Sequence, residues 1–124
     1  MNQQCGLFVG HFDVKRFSFH AGDGNLYLLQ LLHENIGANL ECIFLQSQKI
    51  SLWCNGISKE QGLSLNDVAT RIWNDEQCWL DTPHLCENFY GNAIFLGDFD
   101  CFGGITGLSE FQLDFIDSFR YAFQ

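Results

Sequence analysis

Basic residues are scarce in this sequence. Fifteen Asp and Glu residues stand against six Lys and Arg, which gives a formal net charge of −9. The imbalance lies in residues 63–124, where only Arg71 and Arg120 oppose ten acidic residues, a net charge of −8. A negative field repels nucleic acid and anionic membranes, and it accelerates encounter with cationic proteins. We therefore expect no direct nucleic-acid or membrane binding, while acidity that serves only solubility remains the alternative.

Proline and long apolar runs are also rare. The 124 residues include one Pro but thirteen Phe, and 47% of them are hydrophobic. This composition predicts a single globular domain over residues 1–124. No stretch approaches the roughly 18 apolar residues of a membrane span, and the first residues lack the basic and apolar segments of a secretory signal. We expect a cytoplasmic protein whose six cysteines are thiols.

Two metal-binding patterns are incomplete. Zinc could take Cys78, His84, Cys86 and Cys101 as ligands, but no C-x₂₋₄-C pair exists to support this weak pattern. The stretch GDFDCFGG, residues 97–104, contains an Asp-x-Asp pair that resembles part of a calcium loop. The fifth and twelfth positions of that loop would be Phe and Ser instead of oxygen-rich ligands, so calcium is excluded. We expect no metal and no cofactor.

Enzyme motifs are missing as well. There is no GxxxxGK[ST] phosphate loop and no G-x-S-x-G nucleophile elbow. Six Cys and four His allow many nucleophile and base pairings, so a cysteine-dependent hydrolase or transferase remains the enzyme alternative. Its sign would be one thiol of low pKa.

Hydrophobic periodicity predicts an α+β fold, with a mixed or antiparallel sheet and about three helices packed on it. Strands are predicted in GLFVGHFDV, VKRFSFHA and NAIFLGDF, and a hairpin in LECIFLQSQKISLWC. Helices are predicted in NLYLLQLLHENIG, LSLNDVATRIWNDEQ and LSEFQLDFIDSFRYAFQ. In the hairpin we expect one shared face, with Cys42 and Cys54 in the core: Leu40, Cys42, Phe44, Ile50, Leu52 and Cys54.

Capping residues mark the starts of the last two helices. Ser64 followed by Asp67 resembles a capping box for the second helix, and Ser109 with Gln112 forms one for the third. The third helix is expected to bury an apolar stripe made of Phe111, Phe115, Ile116, Phe119 and Phe123.

Between Asp75 and Asp100 acidic residues alternate with Trp, Phe and Tyr, and no Lys or Arg occurs. Aromatic side chains can fill pockets on a partner while carboxylates pair with its Arg and Lys residues. The alternative is that the aromatics are core and the acids a solvated rim. We predict these partner-binding residues: Asp75, Glu76, Trp79, Asp81, Glu87, Tyr90, Asp98 and Asp100.

In its small size, acidic balance and Trp- and Asp-rich second half, the chain resembles immunity proteins of bacterial toxin systems, including those of contact-dependent inhibition. The opening LFVGHF, residues 7–12, is similar to the first strand of some small immunity families. The resemblance implies a non-enzymatic inhibitor that binds one cognate toxin, which the charge suggests is basic and of the nuclease type. A phage-type nucleic-acid mimic is a related alternative, and a homodimer is possible.

Overall fold

The computed structural model describes residues 3–10, 14–20, 26–57, 60–99 and 104–121. These contain strands β1 (Gln3–Val9), β2 (Val14–His20), β3 (Leu40–Leu45), β4 (Ile50–Asn55) and β5 (Ala93–Leu96). They also contain helices α1 (Leu26–Ile36), α2 (Asp67–Trp79) and α3 (Glu110–Tyr121), and a short 3₁₀ helix at Pro83–Leu85. The strands form one sheet in the order β2-β1-β5-β4-β3, and every neighbouring pair is antiparallel. The predicted α+β class is confirmed.

Helices cover both faces of the sheet. Side chains of β5 alternate between the two faces, as the pleat of a strand requires, and all four are buried. Phe95 joins a core under α2 and α3, whereas Ile94 joins a second core under α1. The central strand is therefore apolar throughout because neither of its faces meets water.

The β3–β4 hairpin is confirmed, but its predicted facing is wrong. Leu45 pairs with Ile50 across the turn, and Ile43 pairs with Leu52. The residues expected on their face, Leu40, Cys42 and Phe44, therefore point to the other side, since a shift of one residue reverses the face of every side chain. Cys54 is buried as predicted, with 4% of its surface exposed. Cys42 is exposed on β3, an edge strand, so its predicted core position is wrong.

The helix ends follow local chemistry. Gly37 ends α1 in the left-handed region, at a φ of 119°, and its N–H donates to the His33 carbonyl at 3.0 Å. The N-cap of α2 is Asn66 and not Ser64, because the Asn66 side-chain oxygen accepts from the Ala69 N–H at 3.1 Å. The predicted assignment of Ser64 as the cap is thus corrected.

The predicted capping box of α3 is confirmed, but one residue of its predicted apolar stripe is exposed. Ser109 N–H donates to the Gln112 side chain at 2.8 Å and Gln112 N–H donates to the Ser109 hydroxyl at 3.1 Å, which confirms the capping box. Phe111 is 75% exposed, contrary to prediction. Leu113 and Ile116 are buried instead. At 100° per residue Phe111 lies nearly opposite the middle of the face that they share. The predicted stripe member Phe123 lies outside the described residues.

Candidate functional site

After α2 the chain reverses and runs back along the helix. We call residues 80–91 the return segment. Four of its hydrogen bonds to α2 measure 2.8–2.9 Å: Thr82 N–H to Gln77 O, Trp73 Nε1–H to Leu85 O, Glu87 N–H to Asn74 Oδ1 and Phe89 N–H to Thr70 Oγ1. The Trp73 ring also meets Phe89 edge to face, with centroids 6.0 Å apart. The segment is irregular in conformation but firmly attached to the helix.

Four predicted partner-binding residues lie on this layer. Asp75 and Trp79 are exposed on α2, and Asp81 and Glu87 are exposed on the return segment. Trp79 is 79% exposed, which is unusual for so large an apolar side chain. We call these four residues the interaction surface. Tyr90 is half-buried at the end of the return segment, where it bridges to Leu65.

Glu76 does not belong to that surface. Only 4% of it is exposed, because one residue further along the helix than Asp75 it turns toward the sheet. Its carboxylate accepts a hydrogen bond of 3.2 Å from the Ser47 backbone N–H and a second from the Ser47 hydroxyl. The expectation that Glu76 is a surface carboxylate is therefore corrected: it attaches α2 to the β3–β4 turn.

Asp98 lies apart from the return segment. It follows the C-terminal end of β5, whereas Glu87 and Tyr90 precede the start of that strand. Its side chain accepts from the Phe99 N–H at 2.7 Å, and its carbonyl accepts from the Thr106 N–H at 3.1 Å. These bonds hold a bend and do not place the residue beside Glu87. Asp100 lies outside the described residues.

A pocket of about 200 Å³ opens between the ends of β3 and β4 and the return segment. Three carboxylates line it, those of Glu41, Glu60 and Glu87, and Cys54 and Phe89 contribute buried groups. Two of these carboxylates, those of Glu41 and Glu87, act electrostatically on the buried Cys54 thiol. The pKa of the Cys54 thiol is raised to about 12, first by burial and then by the charges of Glu41 and Glu87. We call this the acidic pocket.

Sequence reasoning did not find the acidic pocket. Glu41 and Glu60 precede the acidic run between Asp75 and Asp100 in the sequence. They come close to Glu87 only when the chain folds. One signal was present in the sequence. Glu41 lies on β3 directly across from Cys54, so a correct hairpin register would have placed a carboxylate beside a buried thiol.

A second concavity, of about 230 Å³, lies at the other end of α2. It is lined by Trp79 and Phe115, by the Asp75 carboxylate and by Ser47 and Gln48 of the β3–β4 turn. Aromatic faces beside a carboxylate suit a cationic side chain, because the ring quadrupole and the negative charge both attract it. We call this the Trp79 groove.

Basic residues are few on the elements that form these features. The described ones are Lys49 in the β3–β4 turn and Arg71 on α2. Lys15 and Arg16 lie on β2, the edge of the sheet opposite β3. The Arg16 guanidinium Nη1 lies 3.9 Å from Glu110 Oε1, and both side chains are exposed. The strands thus carry basic charge at the β2 edge and acidic charge near β3.

Four of the described thiols, those of Cys5, Cys42, Cys54 and Cys86, have a raised pKa. Desolvation by neighbouring atoms raises the pKa of Cys5, and it raises the pKa of Cys42 to about 11 although that side chain is exposed. The pKa of Cys86 is raised by desolvation and by its neighbour Cys78. A thiol of raised pKa is a poor nucleophile at neutral pH. In the part of the chain that the structure describes, no three or more His, Cys, Asp or Glu side chains are arranged to hold a metal ion.

No protein-family model, curated protein or solved structure matches this chain. Among the described residues, no helix is long and apolar enough to cross a membrane.

Proposed function

We propose that this protein is a non-enzymatic inhibitor that binds a basic protein through the interaction surface and the acidic pocket. The observation that carries the proposal is the exposed Trp79 at the rim of an acidic layer that is firmly attached to the core. An immunity protein that neutralises a basic, nuclease-type toxin is the specific form of inhibitor that we propose, and a cytoplasmic location fits it.

Trp79 supplies the anchor. Tryptophan is enriched among the residues that dominate binding energy, because it buries a large apolar area with few rotatable bonds. Its backbone is already fixed, since Leu80 N–H donates to Glu76 O at 3.0 Å and Glu76 itself is bonded to Ser47. A pre-organised anchor loses little conformational entropy on binding. The exposed indole is therefore well placed to enter a pocket on another protein.

The acidic pocket supplies the charge complement. Glu41, Glu60 and Glu87 line one concavity, so a cationic side chain that enters it would be attracted by three carboxylates. Arginine fits best, because its planar guanidinium has five N–H donors for carboxylate oxygens. Its insertion would add charge-assisted hydrogen bonds to the apolar contact that Trp79 makes.

A nuclease is a suitable partner because its cleft must be basic to hold phosphate. A protein that presents carboxylates at such a cleft competes with the nucleic acid for the same Arg and Lys residues. Electrostatic attraction would also raise the association rate, and salt would lower it.

The test is co-expression of the tagged protein with the product of the adjacent upstream gene, followed by purification at about 50 mM and 300 mM salt, between which the Debye length falls by a factor of roughly 2.5. We expect a basic protein in a 1:1 complex whose association rate falls as salt rises, together with loss of that protein's activity. A complex that forms equally fast at both salt concentrations, or that leaves the partner fully active, contradicts the proposal.

A further inference from the structure

Two cysteines meet where α2 and the return segment pass each other. Cys78 lies in the last turn of α2, and Cys86 follows the 3₁₀ helix of the return segment. Both are exposed free thiols. The Cys86 sulfur lies 3.9 Å from the Asn74 carbonyl oxygen. In an α-helix this carbonyl is also the acceptor for the N–H of Cys78, four residues later. The two residues are thus at the same level of the helix, and after desolvation it is the neighbouring Cys78 thiol that raises the pKa of Cys86.

Neighbouring contacts fix this approach without using either sulfur. Trp73 Nε1–H donates to Leu85 O at 2.9 Å, immediately before Cys86. Glu87 N–H donates to Asn74 Oδ1 at 2.9 Å, immediately after it. The backbone on both sides of Cys86 is therefore held to the turn of α2 that precedes Cys78. The fold brings the thiols together and leaves them open to solvent.

We propose that Cys78 and Cys86 are a redox-active dithiol that closes into an intramolecular disulfide when the protein meets a hydroperoxide. The proposal does not rest on the proposed function. It assigns a modification site to two of the six cysteines and leaves Cys5, Cys42 and Cys54 as thiols.

The chemistry balances with hydrogen peroxide as the oxidant. The Cys78 thiolate attacks one peroxide oxygen, the O–O bond breaks, and Cys78 becomes a sulfenic acid with release of water. The Cys86 sulfur then attacks the Cys78 sulfur, the S–O bond breaks, and a second water leaves. Two thiols and one peroxide give one disulfide and two waters. Cys78 reacts first because the Cys86 S–H donates to the Asn74 carbonyl and the raised pKa of Cys86 keeps that thiol protonated.

The disulfide would act on the interaction surface directly. Trp79 and Asp81 lie inside the closed loop of residues 78–86. A covalent bond across that loop would add to the hydrogen bonds that already hold the backbone beneath both side chains.

The test is a peptide map of the folded protein after treatment with hydrogen peroxide. Cleavage before aspartate separates the two thiols, because Cys78 falls in residues 75–80 and Cys86 in residues 81–97. Cys101 falls in residues 100–113, so it cannot be confused with either. We expect residues 75–80 linked to residues 81–97 without reduction, at a mass two hydrogen atoms below the sum of the two fragments. Linkage of either fragment to another cysteine, or no linkage while thiols are consumed, would overturn the proposal.

Proximity in sequence alone could also close so short a loop, so folding must be shown to matter. Equilibration with reduced and oxidised glutathione should give a disulfide formation constant at least tenfold larger in the folded protein than in the urea-unfolded chain. Equal constants would show that the fold does not pair the thiols. Cys86→Ser should instead hold a glutathione adduct at Cys78, whereas Cys42→Ser, which removes another exposed thiol, should leave the linked fragments unchanged.

Discussion

Glu76 and Ser47, 29 residues apart, connect α2 to the β3–β4 turn through two hydrogen bonds on one carboxylate. Glu76→Ala removes the charged acceptor of the Ser47 backbone N–H and hydroxyl. We expect it to lower the free energy of unfolding by roughly 1–3 kcal/mol. Urea unfolding followed by Trp fluorescence measures this. Asp75→Ala is the matched control, since Asp75 is an exposed acid on the same turn, and it should change stability by less than about 0.5 kcal/mol. Equal effects of the two variants would contradict the role of Glu76.

Asn66 connects three parts of the chain. It caps α2, and its side-chain N–H₂ donates to Val9 O at 2.9 Å and to Gly91 O at 2.8 Å. Asn66→Ala should lower the free energy of unfolding by roughly 2–4 kcal/mol, because a cap and two hydrogen bonds from a buried side chain are lost together. The control is Ser64→Ala at the cap that the sequence suggested, which should cost little. Urea denaturation midpoints of the two variants show which residue caps α2. A larger loss of stability for Ser64→Ala than for Asn66→Ala would contradict the assignment of Asn66 as the cap.

Gly97 fixes the bend in the glycine-rich stretch after β5. A Cβ atom there would lie 2.2 Å from the Gly107 carbonyl oxygen and 2.8 Å from the Thr106 hydroxyl oxygen. Backbone cannot move aside as a flexible side chain can, so Gly97→Ala should destabilise the protein by several kcal/mol, on the order of an overpacked core site. Gly56→Ala, whose nearest neighbour is the side chain of Glu41, is the comparison. Thermal unfolding measures both variants. An equal decrease in melting temperature for Gly97→Ala and Gly56→Ala would contradict this explanation.

Local patterns in the sequence were sufficient for most elements of the fold. Alternation identified the strands, and apolar spacing identified α2 and α3, because both signals depend on a residue's own neighbours. The hairpin facing failed because it depends on which residues form the turn, and a change of one residue reverses it. Phe111 failed because spacing alone does not say which side of a helix meets the sheet.

The candidate site was harder to predict than the fold. Of the residues predicted from the acidic run, Asp75, Trp79, Asp81 and Glu87 lie at the surface, and their partner-binding role stays a prediction. It could not reveal that Glu76 turns inward, since helix rotation relative to the sheet is set by tertiary packing. It also could not supply Glu41 and Glu60, which reach Glu87 only when the return segment folds back. Pockets built from distant residues require the fold.

The buried Cys54 thiol predicts an alkaline loss of stability. Its pKa is about 12 in the folded protein, whereas an unfolded thiol has a pKa of about 8.5. The folded state therefore favours the protonated form. This contribution is fully present below pH 8.5 and is lost as pH rises toward 12, at up to about 1.4 kcal/mol per pH unit. Urea unfolding at pH 7.5 and pH 10 measures it.

Cys54→Ala should be less stable at pH 7.5 because a cavity forms, but its stability should fall less between pH 7.5 and pH 10. Cys78→Ala, which removes an exposed thiol, serves as the control and should keep the wild-type pH dependence. If Cys54→Ala retains the full alkaline loss, other groups are responsible.

In the proposed complex, Trp79 should control mainly the dissociation rate, and the charge of Glu87 should control mainly the association rate. Trp79→Ala should weaken binding of the basic partner at least thirtyfold, mainly through faster dissociation, because a hot-spot aromatic contributes more than about 2 kcal/mol. Glu87→Gln should mainly slow association and reduce its salt dependence, because it removes one charge of the acidic pocket. Surface plasmon resonance at several salt concentrations separates the two rates.

Two variants provide controls for this division. Phe111→Ala removes an aromatic side chain that is 75% exposed on α3 and should leave both rates unchanged. Asp98→Asn removes a charge at the other end of β5 from Glu87, so it should slow association less than Glu87→Gln does. If Asp98→Asn has the larger effect, the partner approaches the end of β5 and not the acidic pocket. If Phe111→Ala matches Trp79→Ala, exposure of an aromatic ring alone determines binding, and the pre-organised anchor beside α2 loses its special role.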